Sequence, residues 1–214
     1  MRIQMKRRIL VATTNPGKLA ELSELLGAVN GQIEWVSLKD YPNITEVVED
    51  GNTFAENARK KALGYAEATG LWTVADDSGL VIDALNGQPG VYSARYAADE
   101  CRSDNRKDID SANYKKVLTE LYDTPDKNRT ARFMCYLCLA LPGKILLETE
   151  GAVEGLINHT PLGENGFGYD PIFYLPSLNK TAAQLDHQDK NLISHRGNAI
   201  RKLKPLLEDL LRAK

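Results

Sequence analysis

Two adjacent carboxylates, Asp76 and Asp77, sit in the run Ala75-Asp76-Asp77-Ser78-Gly79-Leu80. The apolar residues 71–75 before them read as a short strand that delivers both acids at its carboxyl end. A glycine-rich loop follows through Gly87 and Gly90 and closes on Arg95, flanked by Tyr92 and Tyr96. Successive strand residues point to opposite faces, so the two aspartates are expected to do different work. One would face a cleft while the other is held by the turn. Asp77 and Glu49 are hard oxygen donors of the kind that suit Mg²⁺. A second group, Thr13-Thr14-Asn15-Pro16-Gly17-Lys18, joins a buried strand over residues 8–13 to a helix with Leu19, Leu22, Leu25 and Leu26 at helical spacing. Such a turn offers backbone N–H groups and a positive dipole end beside a lysine, which is a phosphate site. It is not a Walker loop, because the first glycine and the Ser/Thr after the lysine are missing, and taken alone the stretch reads somewhat better as an ordinary first β–α turn.

The third group is the loop Gly163-Glu164-Asn165-Gly166-Phe167-Gly168-Tyr169-Asp170-Pro171. Phe167 and Tyr169 either offer a stacking face to a planar ligand or pack into the core, and the residue types do not choose between these. Asp170, His195 and Arg196 carry hydrogen-bonding tips for a base edge. Ser194 is an expected N-cap for a last helix with its stripe at Ile200, Leu203, Leu207 and Leu210, and Pro205 predicts a kink or break. Phosphate, metal and base features on separate loops point to a nucleotide and to hydrolysis of its polyphosphate. No Ser-His-Asp order with a nucleophile elbow occurs, and no zinc-ligand cluster.

The elements that must position these loops follow from periodicity. Residues 33–37 alternate as a second strand, and residues 38–51 form an acidic loop. Thr53-Phe54-Ala55-Glu56 has capping-box spacing and opens a helix to about Ala68, on which Lys60 and Lys61 read as solvated charges. Residues 104–122 form a polar helix striped by Ile109, Tyr114, Val117, Leu118 and Leu121. Residues 132–141 and 144–149 are strands joined at Pro142-Gly143, with 150–157 extended beyond them and its glycines marking a bulge or bend. Residues 172–174 resume a strand. The fold class is therefore α/β: a long mixed central sheet with flanking helices, forming two lobes around a nucleotide-binding cleft within a single domain over 1–214. The chain has 214 residues, 43% apolar, enough for a sizeable core. Its 27 basic and 29 acidic residues give a formal charge of −2, which argues against nucleic acid or an anionic membrane as partner. The basic start, Met1 to Arg8, precedes only four apolar residues, too few for a signal or a span, so a cytoplasmic protein is expected. Cys135 and Cys138 form a C-x-x-C inside an apolar strand, where residues three apart face opposite sides, so redox or zinc use is not expected.

The motifs occur together in one known order. Ala12-Thr13-Thr14-Asn15-Pro16-Gly17-Lys18, Thr53-Phe54-Ala55-Glu56-Asn57-Ala58, Ala75-Asp76-Asp77-Ser78-Gly79-Leu80, residues 87–96, Gly166-Phe167-Gly168-Tyr169-Asp170-Pro171 and Ile193-Ser194-His195-Arg196 resemble the inosine triphosphate pyrophosphatase family, also called Ham1-like. The resemblance spans the chain from Arg8 to about Leu210. It implies a homodimeric cytosolic enzyme that uses Mg²⁺ to cleave ITP, dITP and XTP to the monophosphate and pyrophosphate. By position it makes Asp77 the catalytic carboxylate and a metal ligand, and Thr13, Thr14, Asn15, Pro16, Gly17 and Lys18 the phosphate loop. Ser78 becomes a substrate contact, Phe167, Gly168, Tyr169 and Asp170 the base-side loop, and Lys190, His195 and Arg196 the remaining contacts. Arg95 lies in a matched motif with no clear role. The chain departs from the pattern where the second metal carboxylate falls, which here is Val48. Glu49 beside it is the expected substitute, with Glu46 as the alternative. Gln184 stands where a glutamate is common, and Glu164-Asn165 replaces a smaller pair.

Overall fold

The computed structural model describes residues 6–26 and 33–213, so Met1–Met5 of the basic start lie outside the described residues. In chain order the elements are β1 (Arg7–Val11), α1 (Pro16–Leu26), β2 (Ile33–Ser37), α2 (Phe54–Thr69), β3 (Trp72–Ile82) and α3 (Arg106–Glu120). They continue with β4 (Thr130–Leu141), β5 (Lys144–Ile157), β6 (Phe173–Leu175), β7 (Lys180–Thr181), α4 (His187–Ile193) and α5 (His195–Arg212). The strands form one sheet in the order β2-β1-β3-β4-β5-β6-β7. It is mixed: β1 is parallel to β2 and β3, whereas β6 is antiparallel to β5 and β7. The chain divides into two compact units, and β3, β4 and β5 contribute residues to both. One holds the chain up to Asp77 together with 135–151 and 195–214; the other holds 78–134 and 152–194.

In the first unit the strand alternation decides which helices each face carries. Ile9, Val11, Trp72, Val74, Cys135, Leu137 and Leu139 form one core with Leu22 of α1 and with Ala199, Ile200, Leu203 and Leu207 of α5. Leu10, Ala12, Ala75, Cys138 and Ala140 form the other, with Ala58, Ala62 and Tyr65 of α2. Cys135 and Cys138 thus belong to different cores, and burial pushes each thiol up to about 12, as the strand reading requires. Thr53 caps α2 by accepting the Glu56 N–H, and Glu56 reaches back to the Asn52 N–H at 2.7 Å rather than to the cap's own. Gly70 ends the helix at φ 71°, a left-handed conformation that glycine adopts without strain. Pro205 does not break α5. It lies exposed, so the hydrogen bond it cannot make faces solvent while Leu203 and Leu207 stay in the core.

The second unit packs Leu80 and Ile82 of β3, Ala131 and Phe133 of β4 and Ile157 of β5 against Val117 and Leu121 around α3. Buried Arg129 ties this unit together by donating to the carbonyls of Ile157 and Leu121. Two expectations change. The strand before the aspartates does not stop at Ala75 but runs on to Ile82, because Leu80 and Ile82 have a second core to enter. Residues 144–157 form one continuous strand. Its glycines serve close approach: a Cβ at Gly155 would come within 2.6 Å of the Tyr174 carbonyl oxygen.

Candidate active site

Because Asp76 and Asp77 lie within β3, their side chains leave on opposite faces. Asp76 takes the face of α1 and α5. Its Oδ2 is 2.9 Å from Lys18 Nζ and 3.3 Å from Arg196 Nη2, and Arg196 also bonds Glu21 of α1. Asp76, Glu21 and Arg196 are buried. Burial alone would raise the Asp76 carboxyl, but Lys18, Arg196 and Lys61 overcome it and hold the group far below the usual carboxylate range. Lys18 itself leaves the turn that β1 and α1 create. Thr13 Oγ1 accepts the Asn15 N–H at 3.2 Å, Asn15 Oδ1 accepts the Lys18 N–H at 3.3 Å, and Pro16 opens the helix. Side-chain oxygens take over early N–H groups there, and proline at the first helical position needs none. Thr14 is exposed, and Gly17 is the second residue of the helix.

Asp77 takes the opposite face, toward α2. Asn57 Nδ2 donates to Asp77 Oδ2 at 3.1 Å, and Lys61 Nζ lies 3.7 Å from Asp77 Oδ1 and 3.0 Å from Glu49 Oε2. Glu49 is therefore brought to Asp77 by a shared lysine, while Val48 is 71% exposed and Glu46 faces solvent. The acidic loop reaches this place through Gly51. Its N–H donates to Asn57 Oδ1 at 2.7 Å, and a Cβ on Gly51 would fall 2.6 Å from that oxygen. Burial, with Glu49 adding to it and against the pull of Lys61, Lys18 and Asn57, holds the Asp77 carboxyl above its ordinary value. Lys61, expected as a solvated charge, is 7% exposed. Burial would lower its ammonium, but Asp76, Asp77 and Glu49 raise it on balance. Asn57, Lys61 and Glu21 are the residues that sequence reasoning did not place. The first two are four apart on α2, so they share a face with the buried Ala58 and Ala62, and that spacing was the available signal.

Two carboxylates against one lysine leave excess negative charge, which fits a hard dication. Among the described residues no group of three or more His, Cys, Asp or Glu side chains could hold a metal. A pair of carboxylates is nonetheless what Mg²⁺ takes from a protein when phosphate oxygens and water fill its other positions.

In the second unit, Ser78 follows in β3 half-buried. The glycine loop is pinned at three points. Asp170 Oδ2 accepts the Phe167 N–H at 2.8 Å, Asp110 Oδ2 accepts the Gly168 N–H at 2.9 Å, and the Tyr169 hydroxyl donates to the Ser93 carbonyl at 2.8 Å. Lys190 Nζ lies 2.6 Å from Asp170 Oδ2 and 4.6 Å from the centre of the Phe167 ring. The structure thus separates the two aromatics: Tyr169 is core, and Phe167 stays half-exposed. Asp170 has its carboxylate turned into the loop. In the first unit, His195 opens α5 and is buried, and Gly151 lets that first turn close on β5, since a Cβ there would meet the His195 carbonyl oxygen at 2.2 Å. Arg196, expected as a tip for a base edge, is instead the buried partner of Asp76 and Glu21. A guanidinium with two carboxylates and no exposed surface is a structural anchor before it is anything else.

The fold is thus a mixed α/β sheet, with a lysine-bearing β–α turn and a carboxylate pair in the first unit and a pinned aromatic loop in the second. Residues 9–206 match the Ham1 family, and the chain belongs to it. It is 49% identical over 203 residues to a dITP/XTP pyrophosphatase of Desulforamulus reducens, covering 95% of this chain and 96% of that one. It is also 49% identical over 200 residues to a dITP/XTP pyrophosphatase of Shouchella clausii, at 94% and 96% coverage. Among solved structures, a HAM1 protein from Coxiella burnetii superposes with a TM-score of 0.83 at 42% identity, covering 95% of this chain and 99% of the other.

Proposed function

We propose that the protein hydrolyses deaminated purine nucleoside triphosphates (ITP, dITP and XTP) to the monophosphate and pyrophosphate, keeping them out of DNA and RNA synthesis. The observation that carries this reading is the split of Asp76 and Asp77. One fixes the lysine of a phosphate turn, and the other is held with Glu49 as a carboxylate pair. The names of the relatives support the substrate class.

The residues divide the work. Lys18, held in place by Asp76, receives the leaving pyrophosphate, whose charge grows as the α–β phosphate bond breaks. A carboxylate oxygen of Asp77 orients the attacking water and takes its proton. Mg²⁺ held by Asp77 and Glu49 would supply charge neutralisation and polarisation at the phosphates. Phe167 stacks on the purine. Lys190, beside Phe167, offers a donor that suits the O6 acceptor of hypoxanthine or xanthine and opposes the amino donor of adenine. Arg196 acts through Asp76. The homodimer and cytoplasmic location implied by the resemblance belong to the same proposal; among the described residues no helix is long and apolar enough to cross a membrane.

Steady-state rates on ITP, XTP, dITP, ATP, GTP and dUTP, with and without Mg²⁺, test it. Metal-dependent pyrophosphate release from ITP and XTP, with ATP and GTP far behind, is expected. Equal kcat/KM for all six would sink the reading, as would no turnover of any.

A further inference from the structure

We propose that Asp110 of α3 is a positioning residue for base selection, acting through the peptide of Gly168. The proposal rests on the reading of the Phe167 loop as the base-side loop and names a residue that lies outside every motif of the resemblance. Asp110 is 8% exposed, an unusual place for a carboxylate on a helix otherwise polar outward. Its Oδ2 accepts the Gly168 N–H at 2.9 Å, and Arg106 Nη2 lies 3.0 Å from its Oδ1 one helical turn away. Oδ1 is buried and lacks a hydrogen bond of good geometry, so the carboxylate is held by its bond to the loop and by a neighbouring charge.

The loop needs such a hold. Gly166 and Gly168 sit at φ 77° and 64°, and two glycines flanking one aromatic leave the Phe167 ring free to swing unless the peptides on both sides are fixed. Asp170 fixes the N–H of Phe167, and Asp110 fixes the next N–H along. The same helix and the turn before it hold the third point. Tyr169 bonds the Ser93 carbonyl, Asn113 Nδ2 donates to that same oxygen, and Ser93 Oγ accepts the Leu80 N–H. The segment Gly90–Arg95, matched by the resemblance but without a role, thereby becomes the footing of the loop. A charged acceptor on a backbone N–H is about twice as strong as a neutral one. Asp110 fixes the ring plane against which a purine lies, so its removal acts on which base is bound rather than on the bond that is broken.

The test is the ratio of kcat/KM for ITP to that for ATP, because the ring plane sets where the base edge meets Lys190, and this ratio does not depend on the fraction of enzyme folded. It is measured in the native chain, Asp110→Ala and Asp110→Asn, alongside thermal melts. Asp110→Ala should lower the ratio about tenfold, mostly through a higher KM for ITP with kcat nearly kept. Asp110→Asn keeps an acceptor for Gly168 N–H and should recover most of the ratio. An unchanged ratio in Asp110→Ala, whatever the melt or the total activity, overturns the proposal and leaves the hydrolase reading standing. If the native chain shows no preference for ITP, the hydrolase reading itself is what fails.

Discussion

Asp76 and Asp77 are covalent neighbours with opposite electrostatic fates. Asp76 is surrounded by Lys18 and Arg196, with Glu21 balancing the second cation, and its carboxyl is held far below the usual range. Asp77 shares Lys61 with Glu49, and burial holds its carboxyl above its ordinary value. Both are almost wholly buried, so burial alone does not separate them. Counter-charge does. A buried carboxylate with its cations in place supports the fold, and one whose cation is shared with a second carboxylate is left under tension that a ligand can relieve.

The comparison can be broken at several points. The largest effect should come from Asp77→Asn, which keeps the shape and the Asn57 contact but removes a metal ligand and the base. Pyrophosphate release from ITP should fall about 10³-fold or more in kcat. Next is Asp76→Asn. Removing one partner of a buried ion network leaves Arg196 and Lys18 poorly compensated, which should destabilise the fold by about 3 kcal/mol, read by denaturant unfolding. Lys61→Met should come third, with kcat/KM for ITP falling about 10- to 100-fold and the Mg²⁺ requirement altered, because Glu49 and Asp77 then repel without a screen. A Lys61→Met enzyme with native kinetics would show that the shared lysine is only structural.

The pH dependence separates the two aspartates with opposite signs. Asp76 is depressed in the folded chain, so its stabilising effect is present above the ordinary value of 3.8 and is lost as pH falls below it. Asp77 is raised, so its contribution is full below 3.8 and is lost as pH climbs through its folded value. Without metal, the stability difference between the native chain and Asp77→Asn should therefore grow in favour of the variant from about pH 4 upward. That between the native chain and Asp76→Asn should stay level in favour of the native chain over the same interval and shrink as pH falls below about 4.

Local pattern made much of this arrangement legible before any coordinates. The β1 turn into α1, the capped start of α2, the opposite faces of Asp76 and Asp77 and the separation of Cys135 from Cys138 all depend on residues a few positions apart, where periodicity rules. What escaped depends on distance along the chain. The bond between Glu21 and Arg196 joins residues 175 apart in sequence, and nothing near either one announces it. Residues 76–82 looked like a loop because Asp, Asp, Ser and Gly are poor strand formers, yet the cores waiting at Leu80 and Ile82 extend the strand through them. Lys61 looked solvated because lysine usually is, and carboxylates from other segments, Asp76, Asp77 and Glu49, make its burial tolerable. The burial of Tyr169 and the exposure of Phe167 were equally open until Ser93 appeared as the partner of the tyrosine hydroxyl.

The most direct test of the contrast compares the thermal melts of Asp76→Asn and Asp77→Asn in metal-free buffer at neutral pH, each beside its rate on ITP with Mg²⁺. The account predicts opposite signs, with Asp76→Asn melting below the native chain and Asp77→Asn at or above it while showing almost no turnover. A clear loss of stability in Asp77→Asn equal to that in Asp76→Asn, or native turnover without Asp77, would contradict it.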